Sequence, residues 1–240
     1  MGKLAPRKTA GVLGGMGPQA TVDFMQEVIR LTGARRDQDH VRMLVDCNPA
    51  VPDRQAALRG EGGDVAACLA QMARGLQAAG AEFLVMPCNT AHVFADSIAA
   101  AVPIPLINII DATVAAVRRE CPDARSVGLL ATTGCINAGV YQRALASDGF
   151  GVVVPADSAV LMDLIFRIKS GDVGAETRAA TAAVAQQLVA AGADVLIAGC
   201  TEIPLVLGAG DVPVPLISST DVLARQTIEY AFNLQPGESS

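Results

Sequence analysis

Short apolar runs alternate along the chain with longer segments of helical periodicity. The first apolar run, Thr9 to Gly14, leads through a glycine turn into a helical pattern that extends from Pro18 to about Thr32. Proline is well tolerated in the first turn of a helix, so we expect the helix to begin there. A second apolar run covers Val41 to Asp46. This alternation predicts an α/β fold with mostly parallel sheets flanked by helices.

The segment that follows the second strand is predicted to be a loop. Residues 48–54 contain two prolines and several turn-forming residues, and they lie at the carboxyl end of that strand. Such loops carry function more often than the scaffold does. Arg54 closes the loop and is a candidate for binding an anionic group, although it could also be a solvated charge. The elements expected next are a helix over Asp64 to Ala79, a strand ending at Cys88, a helix from about Thr90 and a strand over Ile104 to Ile109.

Two distant stretches share one pattern, Val85 to His92 and Ile197 to Pro204. In each, a short apolar run ends at a cysteine, Cys88 or Cys200, which is followed by polar residues that suit a helix N-terminus. We therefore expect each cysteine at the carboxyl edge of a sheet. Open α/β sheets bind ligands at that edge.

The second half of the chain repeats the order of the first. Three pairs of landmarks match at offsets of 117, 112 and 110 residues: Gly11 to Gly17 with Gly128 to Gly134, Cys88 with Cys200, and Val102 to Ile107 with Val212 to Ile217. Chance similarity would not keep this order. We predict two similar α/β domains, residues 1–115 and 116–218, with a C-terminal helix at 219–235 that completes the first.

Composition and charge exclude several classes of function. The net charge of −6 argues against sequence-independent binding to nucleic acid or to an anionic membrane, since both need basic patches. No run approaches the roughly 20 apolar residues of a membrane span, and the N-terminus lacks the apolar core of a signal peptide. We expect a cytoplasmic protein, whose six cysteines are free thiols. With two histidines and no closely spaced Cys/His cluster, no metal site is predicted.

Two cysteines at matching sheet edges suit a reaction that treats both faces of a substrate alike. In racemisation, one group removes the α-proton and a second returns a proton to the opposite face. Cysteine can act as such a base because helix N-termini and nearby cations lower its pKa. Five polar residues could bind the α-carboxylate, although each could instead be a helix cap or turn: Asn89, Thr90, Thr132, Thr133 and Thr201.

The remaining cysteines and two polar neighbours have simpler interpretations. Buried free cysteines usually pack as small hydrophobes, and we assign this role to Cys68, Cys121, Cys47 and Cys135, although the last two lie beside predicted loops of the site. For His92, one helical turn after Cys88, we favour a structural hydrogen bond. For Glu202 we expect a first-turn charge favoured by the helix dipole.

The motifs together resemble the cofactor-independent aspartate/glutamate racemases, and in particular the aspartate racemase branch. The resemblance spans about residues 11–224 and rests on six segments: Gly14 to Pro18, Arg36 to His40, Asn48 with Pro52 to Arg54, Met86 to His92, Gly128 to Gly134, and Gly199 to Pro204. It implies two pseudo-symmetric α/β domains, a homodimer, no pyridoxal phosphate or other cofactor, and Cys88 and Cys200 as the acid/base pair. It also implies that Arg54 and Lys169 bind the substrate carboxylates and that Met16 contacts the substrate.

Two alternatives stay open at this point. Gly15, Gly17 and Ala20 fit a dinucleotide-binding fingerprint after a strand, with Asp46 ending the next strand, which would indicate an NAD-dependent enzyme. The second alternative is a protein with the same fold that binds an acidic amino acid and catalyses no reaction. We favour a racemase acting on aspartate first and glutamate second. The pattern does not determine which cysteine serves which enantiomer.

Overall fold

The computed structural model describes residues 8–234 and divides into two compact units. One comprises residues 8–109 and 220–234, and the other comprises residues 110–219. Each contains a four-stranded parallel sheet flanked by helices, which confirms the predicted fold class. The domain boundary that we predicted at 115/116 lies inside a helix, whereas the units divide at the start of that helix.

The first unit contains four strands and five helices within the described residues. In chain order they are β1 (Ala10–Gly14), α1 (Pro18–Thr32), β2 (Met43–Cys47), α2 (Arg54–Leu58), α3 (Val65–Ala78), β3 (Phe83–Val85), α4 (Ala95–Ala101), β4 (Leu106–Ile107) and, at the end of the chain, α10 (Ser219–Phe232). The strand order in the sheet is β2-β1-β3-β4.

The second unit follows the same plan. Its elements are α5 (Ile109–Glu120), β5 (Ser126–Leu130), α6 (Thr133–Ala138), α7 (Val140–Ser147), β6 (Gly151–Val153), α8 (Ser158–Lys169), α9 (Ala175–Ala190), β7 (Val195–Ala198) and β8 (Leu216–Ser218). The strand order is β6-β5-β7-β8, so each strand has a counterpart at the same place in the first sheet. The shared order is what a duplicated unit requires.

Matching glycines allow a helix to pack closely on the central strand of each sheet. A Cβ on Gly11 in β1 would lie 3.3 Å from Leu76 of α3 and 2.8 Å from both Ala81 and Leu84. A Cβ on Gly128 in β5 would lie 3.2 Å from Leu188 in the helix at 175–190, would overlap Leu196 and would lie 2.9 Å from Ala193. The two glycines occupy matching positions in the aligned segments. The strands β1, β3 and β7 are buried along their whole length, which explains their continuous apolar sequence.

Two local features differ from expectation. The predicted loop over residues 48–54 ends in a short helix, α2, because the Asp53 side chain accepts a hydrogen bond from the Ala56 N–H and caps it. The helix expected from Thr90 begins instead as a 3₁₀ turn, Thr90–Phe94, before α4.

No helix within residues 8–234 is both long and apolar enough to span a membrane.

Candidate active site

Cys88 lies just beyond the carboxyl end of β3, as the sequence predicted. The strand ends at Val85, and the chain turns through Met86 and Pro87, with the Cys88 N–H donating to the Met86 carbonyl at 2.7 Å. The Cys88 side chain is buried and belongs to the core of the first unit. Asn89 and Thr90, both predicted substrate contacts, follow it and are also buried.

His92 holds the backbone of this turn. Its Nε2 accepts a hydrogen bond from the Ile109 N–H at 3.2 Å. The ring proton is therefore on Nδ1, which donates a hydrogen bond to the Cys88 carbonyl at 2.9 Å. Burial lowers the pKa of His92 to about 4, so the ring is neutral near pH 7. The ring therefore ties the Cys88 turn to the start of α5.

The glycine turn after β1 lies at the same edge of the sheet. Gly15 has a φ of +93°, its N–H donates to Thr21 Oγ1 at 2.9 Å, and a Cβ there would overlap the backbone of Asn48. Close packing against the β2 loop thus accounts for this glycine without a bound dinucleotide. Met16, a predicted substrate contact, is buried in the same core cluster as Cys88.

Arg54 begins α2 and closes the loop after β2. Its Nη1 donates to the carbonyls of Val51 at 3.2 Å and Pro52 at 3.1 Å, and the residue is half-buried. The guanidinium therefore helps to hold the loop in place. Its remaining N–H groups keep it a candidate for binding a carboxylate, because the guanidinium carries five donors.

Cys200 occupies the matching place in the second unit. It is buried two residues beyond the end of β7, and its Sγ donates a hydrogen bond to Glu202 Oε2 at 3.0 Å. The other carboxylate oxygen, Oε1, lies 2.9 Å from Lys169 Nζ at the end of α8. The Glu202 side chain is only 3% exposed, and that of Lys169 is 27% exposed.

Burial and this carboxylate shift the pKa of Cys200 in the direction opposite to the one expected. Burial, and after it the charge of Glu202, raises the pKa of the Cys200 thiol well above its usual value, while Lys169 opposes the rise. The α-helix expected after Cys200 is absent, because the chain forms a 3₁₀ turn at Ile203–Leu205. Cys200 thus lacks the helix N-terminus that we expected to lower its pKa.

The threonines predicted to bind substrate in the second unit have identifiable partners. Thr132 caps α6, and its Oγ1 accepts from the Cys135 N–H at 3.2 Å. The Thr133 N–H contacts Met162 Sδ at 3.2 Å, and Thr201 Oγ1 lies 3.4 Å from Glu202 Oε2. Because β5 neighbours β7 in a parallel sheet, the end of β5 lies at the same edge as Cys200.

The structure therefore groups the candidates by unit. At the carboxyl edge of the first sheet lie Met16, Arg54, Cys88, Asn89 and Thr90, and at that of the second lie Thr132, Thr133, Cys200, Thr201 and Lys169. Sequence reasoning missed the link that Glu202 makes between Lys169 and Cys200. An acidic residue two positions after a candidate cysteine was the only signal for it.

Within residues 8–234, no three His, Cys, Asp or Glu side chains lie close enough together to hold a metal ion.

Comparison with known proteins agrees with this arrangement. The family model described as Asp/Glu/hydantoin racemase matches residues 13–227. The broad specificity amino-acid racemase RacX of Bacillus subtilis is 29% identical over 226 residues, covering 91% of this chain and 96% of that protein. A glutamate racemase of Pseudomonas putida is 35% identical over 165 residues, covering 65% of this chain and 60% of that enzyme.

Among solved structures, the aspartate racemase of Picrophilus torridus superposes with a TM-score of 0.82 at 28% identity, covering 93% of this chain and 94% of that one. The family match takes in both candidate cysteines and all strands of both sheets except the first three residues of β1. The chain therefore belongs to the Asp/Glu/hydantoin racemase family.

Proposed function

We propose that the protein is an amino-acid racemase that interconverts L- and D-aspartate, with glutamate as a second substrate, using Cys88 and Cys200 as its two acid/base groups. The observation that carries the proposal is the equivalent position of the two cysteines. Each lies just beyond the third strand of its unit, at the carboxyl edge of a sheet with the same strand order. A two-base reaction needs one such group from each half.

The proposed reaction moves one proton off Cα and another onto it. The thiolate of one cysteine takes the α-proton, and the electron pair left on Cα is delocalised into the α-carboxylate. The thiol of the other cysteine then gives its proton to the opposite face of Cα. Each turnover leaves the two cysteines with exchanged protonation states. Hydrogen-bond donors at the two sheet edges would stabilise the enolate-like charge that develops.

Aspartate is the preferred substrate because of the cations at the site and the nature of the relatives. Arg54, and by resemblance Lys169, supply positive charge for a dicarboxylate. The Picrophilus torridus protein is an aspartate racemase and matches nearly the whole chain. The Pseudomonas putida relative is a glutamate racemase, and RacX is described as broad in specificity. Glutamate differs from aspartate by one methylene, a difference worth only about 1–3 kcal/mol in a pocket.

Chiral chromatography of aspartate and glutamate incubated with the purified protein tests the proposal. We expect L-aspartate alone, without pyridoxal phosphate and with a thiol reductant, to approach equal amounts of both enantiomers. Cys88→Ser and Cys200→Ser should each lower the rate at least about a hundredfold, since each removes an acid/base group. Cys121→Ser is the matched control and should keep full activity, because Cys121 follows α5 outside the candidate site.

Full activity in either the Cys88 or the Cys200 variant would eliminate the two-base mechanism. If wild-type protein left both amino acids unchanged but bound them, a non-catalytic binding role would replace the racemase. A homodimer and a cytoplasmic location stay predictions of the resemblance and are open to sedimentation and fractionation.

A further inference from the structure

Three side chains in the second unit form a connected cluster, Cys200, Glu202 and Lys169, which we call the thiol cluster. Sγ of Cys200 donates to one carboxylate oxygen of Glu202 at 3.0 Å, and Nζ of Lys169 lies 2.9 Å from the other. The carboxylate is almost fully buried between the two. Lys169 is the last residue of α8. This helix packs against the 3₁₀ turn after Cys200, which brings the Lys169 side chain to the carboxylate.

The charges of the cluster favour the thiol form of Cys200. With Cys200 protonated, the ammonium and the carboxylate cancel. With Cys200 ionised, the cluster carries a net negative charge in a buried place, and thiolate and carboxylate repel each other at hydrogen-bond distance. The carboxylate also accepts a hydrogen bond from the S–H group, which only the protonated thiol can donate.

We propose that Glu202 is a positioning residue that holds Cys200 in the protonated state, so that Cys200 is the proton donor of the resting protein. Lys169 acts on Cys200 through the carboxylate of Glu202, with which it is paired. The catalytic meaning of this role rests on the proposed racemase function. The proton position at Cys200 is a property of the protein alone.

The first unit supports this asymmetry. The residue two positions after Cys88 is Thr90, an uncharged side chain at the place that matches Glu202. A two-base racemase needs one thiolate and one thiol at the start of each turnover. With Cys200 held as the thiol, Cys88 is the cysteine that loses its proton first.

Tyr141, another titratable group near Cys200, does not alter this balance of charge. Tyr141 is fully buried in the same unit and lies close enough for its charge to couple to those of Cys200 and Cys135. Burial raises the pKa of the Tyr141 phenol well above its usual value, so the phenol stays neutral. Glu202 and Lys169 therefore supply the charges that decide the state of Cys200.

The pH dependence of Cys200 alkylation tests the role of Glu202. Iodoacetamide reacts with the thiolate, and mass spectrometry of the Cys200 peptide reports this site separately from the other five cysteines. Glu202→Gln removes the negative charge beside the thiol and keeps the cation of Lys169, so we expect alkylation at pH 8 to be at least about tenfold faster than in wild type, equivalent to one pKa unit. Glu176→Gln, which removes an exposed carboxylate of the same unit, is the control and should leave the rate unchanged.

The double variant tests the role of Lys169. In Glu202→Gln/Lys169→Met the cation is also gone, so we expect the fast alkylation to return toward the wild-type rate. Equal rates in wild type and Glu202→Gln, or equal rates in the single and double variants, would overturn the proposal. If Glu202→Gln fails to fold, as judged by circular dichroism, Glu202→Asp withdraws the carboxylate by one methylene and should also speed alkylation.

The alkylation test is independent of the proposed function because it needs no substrate. If the wild-type protein neither bound nor racemised aspartate, the proposed function would fail, and the alkylation rates would still decide the role of Glu202.

Discussion

At the scale of single residues, His92 shows how a buried polar group supports the candidate site. Its ring bridges the Cys88 carbonyl and the Ile109 N–H, and its pKa is lowered to about 4 by burial. In the unfolded chain the pKa returns to 6.5. Between these values the unfolded state binds more protons than the folded state, so the free energy of unfolding falls as the pH falls.

We therefore predict a loss of stability from His92 of roughly 3 kcal/mol between about pH 7 and pH 4. Denaturant unfolding of wild type and His92→Asn across this range measures it. The Asn variant keeps a polar side chain but has no ionisable group at this position. The difference in free energy of unfolding between the two proteins should therefore shrink as the pH falls. A constant difference would mean that the His92 pKa is not lowered.

Arg54 is the residue whose assignment most needs a direct test. Its guanidinium holds the loop through Val51 and Pro52, so substitution has a structural cost as well as the proposed loss of a carboxylate ligand. We predict that Arg54→Ala lowers kcat/KM for aspartate at least about tenfold more than for alanine, because only aspartate has a second carboxylate. Equal losses for both amino acids would show that Arg54 supports the loop or binds the α-carboxylate.

At the scale of elements, the local chemistry that defines α1 is visible in the sequence. Its observed bounds, Pro18–Thr32, match the prediction because Pro18 begins the helix and Gly33 ends it in the left-handed conformation. The short α2 was not predicted, since five residues show no helical periodicity. The turn after Cys200 was predicted as a helix because polar residues at a helix start and in a tight turn look alike.

Contacts between residues far apart in the chain could not be predicted from the sequence. Both cysteines could be placed at sheet edges because each directly follows a strand. The contact between Lys169 and Glu202 depends on how α8 packs, and no periodic pattern connects residues 33 positions apart. For the same reason, Glu202 was expected only as a first-turn charge, and its contact with Cys200 was not predicted.

The close packing around Gly128 in β5 yields a prediction about stability. Gly128→Ala places a methyl group against Leu196 and Ala193, so we expect it to lower the free energy of unfolding by about 1–3 kcal/mol. The matched control is Gly75→Ala, at an exposed position inside α3 where a Cβ meets no atom within 4 Å. That change should raise stability by about 0.5–1 kcal/mol. Urea unfolding measures both changes relative to wild type. Changes in the free energy of unfolding with the same sign in the two variants would contradict this account.

At the scale of the whole molecule, the chain is two copies of one α/β plan whose cysteines are equivalent in position and different in chemistry. The strand orders match, and so do the glycines in the central strands. Cys200 contacts a buried carboxylate, whereas the matching position after Cys88 is a threonine. A duplicated scaffold can thus place two similar groups while single substitutions assign them different starting protonation states.

The most direct test of the two-base claim is proton NMR and mass spectrometry of L-aspartate with the protein in D₂O, stopped early in the reaction. The account predicts that the D-aspartate formed carries deuterium at Cα, while the L-aspartate that remains keeps its proton. This follows because the group that returns a proton has exchanged with solvent and is not the group that removed one. Early deuterium in the remaining L-aspartate, equal to that in the product, would contradict two separate bases.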